Sequence, residues 1–172
     1  MPTIVPGVPV LGNFSVFWVT AIANEAAPDL SSDLATPFDL SCYLLADGWE
    51  FTTDSNKGTA PRRVCQVNQF ERFTTSTYKL KDLRYVIQPQ AAAASDGKDA
   101  YETLTSGLNG FFVERLGMDP DTALAAGQFV NVIPVTLGDQ TIQGGDGDTD
   151  DFIVFQPVSV RGTPTQNVAI VA

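Results

Sequence analysis

The residues with the clearest potential for chemistry form an acidic run near the end of the chain, Asp146-Gly147-Asp148-Thr149-Asp150-Asp151. Carboxylates at alternate positions are how an EF-hand calcium loop begins. Such a loop needs Gly at its sixth position and Glu at its twelfth, where this chain has Asp151 and Pro157. The pattern therefore predicts a solvated hairpin tip and no metal site.

Other catalytic constellations have little support in the composition. The chain has no His, which removes the commonest general base and rules out Ser-His and Cys-His nucleophile pairs. Two of its 20 acidic residues could converge as in a glycosidase, but neither a motif nor a Trp-rich stretch supports that. We predict a protein that is not an enzyme, with no catalytic residues and no cofactor, and keep a carbohydrate-active enzyme as an alternative.

The charge balance argues against ordinary nucleic-acid binding. A net charge of −10 repels a phosphate backbone, and the glycines at Gly144-Gly145 lie in an acidic setting that would repel phosphate. Arg62-Arg63 is too small a pair for a nucleic-acid patch. It is either a charge pair of a loop or a partner for acids on a neighbouring subunit.

The two thiols and the N-terminal residues bear on the compartment. Met1 to Gly7 lacks a basic region followed by an apolar core, so no signal peptide is predicted, and no stretch is long enough for a transmembrane helix. In a reducing cytosol we expect Cys42 and Cys65 to be buried, inert thiols, with a disulfide or a reactive thiol as the alternative.

Most of the chain has a strand pattern, and its 172 residues fit a single domain, 1–172. A bulge is expected near Lys81-Asp82, because the apolar parity changes between Leu80 and Leu83, and Pro134 suggests an edge strand or a bulge. Asp47-Gly48 signals a hairpin turn, and residues 54–63 read as a polar loop. Predicted strands are Phe14–Val19, Leu40–Leu45 with its return Trp49–Thr53, Val64–Phe73, Thr77–Gln88, Gly110–Arg115, Phe129–Leu137, Phe152–Val160 and Val168–Val171.

One short amphipathic helix follows Gly97. Asp99 and Glu102 stand in capping-box order, and Gly107 can end the helix. The resulting fold class is mainly β, a rolled β-sandwich or barrel of about eight strands with one short helix packed outside. Trp49 and Phe51 flank the predicted polar loop, so among the large aromatics they are the better candidates for an interface instead of the core.

In the order and spacing of these segments the chain resembles the major tail protein (tail tube protein) family of long, non-contractile tailed bacteriophages, especially those of actinobacteria. The resemblance covers most of the chain and is weakest around Gly144 to Asp151. The matching stretches are Gly12-Asn13, Asp39 to Leu44 with Ala46 to Trp49, Arg63 to Cys65, Tyr85 to Pro89, Ala100-Tyr101 with Leu104 and Gly107, Gly110 to Arg115, Asp121 to Ala123, Ala126 to Gln128, and Val130 to Val135.

The resemblance implies hexameric rings that stack into a tube in the virion tail, assembled in the cytoplasm of the host bacterium. DNA would pass through the bore without specific binding, and the partners would be tape measure, tail terminator and baseplate proteins, with no membrane. Trp49, Phe51, Arg62 and Arg63 would then be interface residues, and the 54–63 loop the contact between rings. Another virion β-protein, such as a neck, tail-completion or capsid decoration protein, stays as an alternative.

Overall fold

The computed structural model describes residues 6–65, 67–144 and 150–172. Within them the chain forms eleven strands and one short helix, which confirms a mainly β sandwich. The strands of this described part do not close into a barrel. The elements are β1 (Phe14–Val19), β2 (Phe38–Asp39), β3 (Phe51–Thr59), β4 (Glu71–Leu80), β5 (Leu83–Val86), α1 (Asp99–Thr103), β6 (Asn109–Leu116), β7 (Phe129–Leu137), β8 (Thr141–Gln143), β9 (Ile153–Gln156), β10 (Val158–Val160) and β11 (Thr165–Ala169).

The strands form three antiparallel sheets. The largest has the order β10-β7-β6-β1-β2, and β11 also pairs with β7. A second has the order β5-β9-β8, and β3 pairs with β4 alone. Side chains from both larger sheets share one core cluster, which includes Trp18, Phe112, Tyr85 and Val154, so these two sheets pack face to face.

The opposite face of the largest sheet is buried as well. Phe17, Val113 and Val132 lie there in a second cluster with Leu34 and Ile170 from outside the sheet. Burial on both faces explains why β1, β6 and β7 are nearly continuous apolar runs without alternation. The predicted strands Phe14–Val19, Gly110–Arg115 and Phe129–Leu137 are confirmed. Their short length and their enrichment in β-branched and aromatic residues favour a buried strand over a buried helix.

Two predicted strands are broken where the chain changes sheet. Phe152–Val160 divides at Pro157 into β9 and β10, which lie in different sheets. The parity change between Leu80 and Leu83 has the same cause, since β4 and β5 pair with different strands. The bulge predicted at Lys81-Asp82 was therefore wrong, and the register is irregular instead between Ser55 and Lys57 of β3 and between Thr165 and Val168 of β11.

The predicted strand Leu40–Leu45 was also wrong, and with it the hairpin to Trp49–Thr53. The Asp39 carboxylate accepts hydrogen bonds from the Ser41 backbone N at 2.8 Å and the Ser41 hydroxyl at 2.6 Å. This Asx turn bends the chain immediately after β2. Tyr43 N then donates to Leu40 O at 3.0 Å, which continues the turn.

Pro134 lies in neither an edge strand nor a bulge. It stands opposite Phe111 of β6 in a regular register, and its carbonyl accepts from Arg161 N on the other side of β7, at 3.0 Å. On that side β7 pairs with β11 up to Val132 and with β10 from Val135 onward. The missing N–H of Pro134 therefore falls in the gap between two short strands, where no ladder bond is lost.

Helix α1 lacks the predicted capping box. Lys98 occupies the N-cap without a side-chain hydrogen bond, and Asp99 is the first helical residue. The Glu102 carboxylate instead accepts a hydrogen bond from Ala94 N at 3.0 Å. The helix ends at Thr103, before Gly107, and Ala100 with the following Leu104 joins the first core cluster.

A buried polar network links strands β5 and β9 to the segments that follow α1 and β7. The fully buried Tyr85 hydroxyl donates to Gln156 Oε1 at 3.2 Å and accepts from Gln140 Nε2 at 2.8 Å. Gln156 Nε2 donates to Leu104 O at 2.7 Å. Burial raises the pKa of the Tyr85 phenol well above its ordinary value of 10.0, because the phenolate would be desolvated.

This network predicts loss of stability in alkali. Above pH 10 the unfolded chain releases the Tyr85 proton while the folded chain retains it, so the free energy of unfolding falls as pH rises from about 10. Urea titrations of the wild type and Tyr85→Phe between pH 8 and 11 measure this. The wild type should lose more stability than the variant across that range. Parallel losses would contradict the assignment to Tyr85.

Candidate assembly surface

Strands β3 and β4 form a two-stranded arm (residues 51–80) that is solvated along most of its length. Apart from Phe51, Gly58 and Tyr78, which are half-buried, and the buried Leu80, every residue of the two strands is exposed. The pairing runs from Phe51 opposite Leu80 to Thr59 opposite Glu71. At about 3.3 Å per residue, nine residues of β3 span roughly 30 Å. The predicted loop 54–63 and strand Val64–Phe73 were therefore wrong, since the turn lies at 60–70.

The arm has only weak contacts of its own. Lys79 pairs with Asp54 at 2.8 Å and Lys57 with Glu71 at 3.7 Å, all with well-exposed side chains. Exposed ion pairs of this kind contribute little, and an isolated two-stranded ribbon is marginally stable in water. An arm of this length is therefore expected to pack against a further surface.

The turn of the arm, which we call the tip and describe over residues 60–65 and 67–70, exposes apolar side chains. Val64 and Val67 are 110% and 90% exposed, and Phe70 is 59% exposed. Arg62, Arg63 and Cys65 are also exposed here. Three apolar side chains in water at the end of an arm are typical of a contact surface.

The prediction of buried thiols was wrong. Cys42, like Cys65, is free and exposed, and both residues lie in turns outside the two core clusters.

Trp49 and Phe51 lie at the opposite end, the root of the arm. Both are half-buried and pack against the first core cluster. Trp49 Nε1 donates to Glu114 Oε1 at 2.8 Å, and Asn131 Nδ2 donates to Glu114 Oε2 at 2.6 Å. Because Glu114 is 7% exposed, these two donors satisfy a buried carboxylate. The indole ring also packs edge-on against Phe112, with the ring centroids 5.1 Å apart.

A mainly apolar groove of about 470 Å³ opens at this root. One wall is the segment Val10-Leu11-Gly12, in which Val10 is 77% and Leu11 89% exposed. Trp49 and Phe51 form part of the other wall, and the acids Glu50 and Glu114 are also in the lining. Leu44 and Leu45 belong to the apolar part of the lining, together with Phe14, Ala46, Leu116 and Pro120. We call this the root groove.

The four predicted interface residues thus fall on two separate surfaces. Trp49 and Phe51 line the root groove, whereas Arg62 and Arg63 lie at the tip, beyond the end of β3. The length of the arm, roughly 30 Å, separates the two pairs. Sequence reasoning placed them on either side of one loop, and the extended strand between them accounts for the difference.

Charge is distributed unequally between the arm and the rest of the chain. Residues 51–80 contain five of the ten basic residues and only two acids, a net charge of +3, which leaves −13 for the remainder. The basic residues of the arm are Lys57, Arg62, Arg63, Arg72 and Lys79. The arm and the rest of the chain thus carry net charges of opposite sign.

Comparison of the sequence with models of known protein families identifies one family. The sequence profile described as phage tail tube protein matches residues 1–172. The chain belongs to this family. No curated protein gives a significant match. As a tail tube family member the chain has a structural role in the phage tail and self-assembles into tubes.

Two further kinds of site, metal sites and membrane-spanning helices, were sought in the described residues of this tail tube protein. Within 6–65, 67–144 and 150–172, no three His, Cys, Asp or Glu side chains are grouped so that they could hold a metal ion. Most of the acidic run Asp146–Asp151 lies outside the described residues. No helix in the described part of the chain is long and apolar enough to cross a membrane.

Sequence reasoning missed a buried pair of charged residues in the tail tube protein, Glu114 and Arg115. They are 7% and 0% exposed and lie on opposite faces of β6. The Arg115 guanidinium donates to the carbonyls of Asp119 at 3.1 Å and Ala123 at 3.4 Å, and to Gln128 Oε1 at 3.2 Å. It therefore holds the loop after β6 against the sheet. Burial lowers the pKa of Arg115, and Asp39 and Asp119 oppose that shift.

A signal for this pair was present in the sequence. β6 is an apolar run in which Glu114 and Arg115 are adjacent, and adjacent residues of a strand point to opposite faces. If both faces of a strand are covered, two neighbouring charges must both be buried, and each then needs partners.

Proposed function

We propose that the chain, as one domain over residues 1–172, forms hexameric rings that stack into the tail tube of a long, non-contractile tail. The bore of this tube conducts DNA at ejection without specific binding. The solvated arm carries the proposal: its marginal ribbon and apolar tip gain stability only by packing on another copy. Trp49, Phe51, Arg62 and Arg63 are the interface residues that we assign.

The acidic body supports the role of a conduit. A net charge of −10 per copy makes a tube wall that repels DNA phosphates instead of retaining them. The same charge opposes the association of copies, so apolar contacts and the basic arm must overcome it. We assign the protein no catalytic role, assembly in the cytoplasm of an actinobacterial host, and contacts with the tape measure, tail terminator and baseplate proteins of the same phage.

Shortening the arm tests the proposal. Because Thr59 faces Glu71 across the ladder, residues 60–70 can be replaced by Asn-Gly, a two-residue turn suited to a hairpin. We expect the purified wild type to form tubes of uniform width with sixfold end views by negative-stain electron microscopy. The shortened chain should keep its circular dichroism spectrum and remain a monomer.

The outcomes separate the alternatives. Tubes of normal length from the shortened chain would contradict the role of the arm. Isolated rings or trimers of the wild type, without tubes, would favour a neck or capsid decoration protein. Rings with another number of subunits would contradict the hexamer.

A further inference from the structure

From the tip and the root groove we infer a specific contact between copies: the tip of one copy inserts into the root groove of the next. The inference rests on the proposed function and names the surface that receives the arm. The tip offers Val64, Val67 and Phe70 in water, and the groove offers Val10 and Leu11 with the Trp49 wall. Both surfaces are apolar and exposed in the single chain, so their contact would bury both.

Charge complementarity favours the same pairing. Residues 60–70 include Arg62 and Arg63 and no acid. The groove lining includes Glu50 and Glu114 and no basic residue. An apolar tip with two guanidinium groups thus faces an apolar groove that carries the exposed carboxylate of Glu50. The Glu114 carboxylate in the same lining already accepts hydrogen bonds from Trp49 and Asn131.

The occupant must be a second copy. The groove lies at the root of the arm, beside Phe51, and the tip lies roughly 30 Å away along an intact ladder. The arm cannot place its own tip in its own groove without breaking that ladder. A tip-to-root contact is also heterologous, so each copy has one free tip and one free groove, and the contact repeats from copy to copy around a ring or along a filament.

Cross-linking of the two native thiols can test this contact directly. Cys65 is exposed at the tip, and Cys42 is exposed between Ser41 and Leu44, which both line the groove. The chain has no other cysteine. Docking would therefore bring Cys65 of one copy near Cys42 of the next. Linking them produces a ladder of multimers, because each copy has one thiol for each neighbour, whereas a link between two identical thiols stops at the dimer.

The experiment treats assembled wild-type tubes with a short bis-maleimide and separates the products on a denaturing gel. We expect a ladder beyond the dimer, and loss of all cross-linked products in both Cys42→Ser and Cys65→Ser. Dimers that persist in Cys42→Ser would show contact between tips and overturn the inference. Tubes that give no ladder would contradict this docking alone, whereas a chain that forms no tubes would contradict the proposed function as well.

Substitutions on each surface give an independent test. Val64→Asp and Leu11→Asp alter side chains that are almost fully exposed in the monomer, so the melting temperature should not change while tubes and ladder are lost. Ile142→Asp, at an exposed apolar position on β8 outside both surfaces, is the matched control and should retain both. Retention of the ladder by Leu11→Asp, or equal loss in all three variants, would overturn the inference.

Discussion

Arg115→Met is expected to lower the free energy of unfolding by about 3 kcal/mol. Hydrogen bonds from a charged donor contribute ~1.5–3 kcal/mol each and are not additive. The guanidinium makes such bonds to Gln128, to Ser15 and to backbone carbonyls of the following loop. Methionine retains much of the apolar contact, including that with the Phe17 ring, but leaves the acceptors of the loop without their donor.

Arg161 provides a matched control for this substitution. Its guanidinium carbon lies 5.2 Å from the centre of the Phe111 ring, as that of Arg115 lies 5.6 Å from the Phe17 ring, but Arg161 is exposed. Arg161→Met should therefore change stability by less than about 0.5 kcal/mol. Urea unfolding measures both variants, and hydrogen exchange should show faster exchange of the loop after β6 in Arg115→Met only. Apolar replacements of buried charges are neutral in some proteins. Equal stability of Arg115→Met and the wild type would place Arg115 among those cases and contradict the prediction.

Gly110→Ala is expected to destabilise the protein by about 2 kcal/mol or more, because a methyl group has no room at this position. A Cβ on Gly110 would lie 2.5 Å from Cη2 of Trp18 and 2.8 Å from the carbonyl oxygen of Val19. The Trp18 ring is buried and packed against Phe112. Overpacking in a fixed environment costs roughly 1–3 kcal/mol.

Gly58 is the control for this prediction, since it is also a strand glycine but lies in the solvated arm. A Cβ there would approach only the Thr74 methyl group, at 3.1 Å, which can move. Gly58→Ala should be neutral or slightly stabilising, because alanine restricts the unfolded chain more than glycine does. Thermal unfolding of both variants decides the matter. A melting temperature of Gly110→Ala equal to that of Gly58→Ala would contradict the prediction, because it would show that the Trp18 ring moves aside at no cost in stability.

The segments that could be predicted best were those in which local pattern and final environment agree. β1 and β7 were correct to the residue, because long runs of apolar and β-branched residues are compatible with little else than a buried strand. The arm was mispredicted for the opposite reason. Its strands are rich in Thr, Ser and charged residues on both faces. Strand was therefore predicted only for parts of them, within Trp49–Thr53, Val64–Phe73 and Thr77–Gln88, and the pairing of β3 with β4 orders the rest.

The four interface residues remain a prediction, and the sequence could not show where they lie relative to one another. Aromatic residues beside a polar stretch and a lone Arg pair were sufficient to select Trp49, Phe51, Arg62 and Arg63. The extended arm decides whether these four residues lie together, and no local sequence pattern predicts that the arm is extended. The root groove was not predictable, because its walls come from segments that are far apart in the chain.

The sequence by itself determined the mainly β class, the central strands and a net charge of −10. These depend on composition and on short apolar runs, which act locally. The tertiary structure alone decided the sheet changes at Pro157 and after Leu80, the burial of Glu114 and Arg115, and the distance between tip and groove. Each of these depends on which distant segments meet, and the free energy of such contacts is gained only once the whole chain has folded.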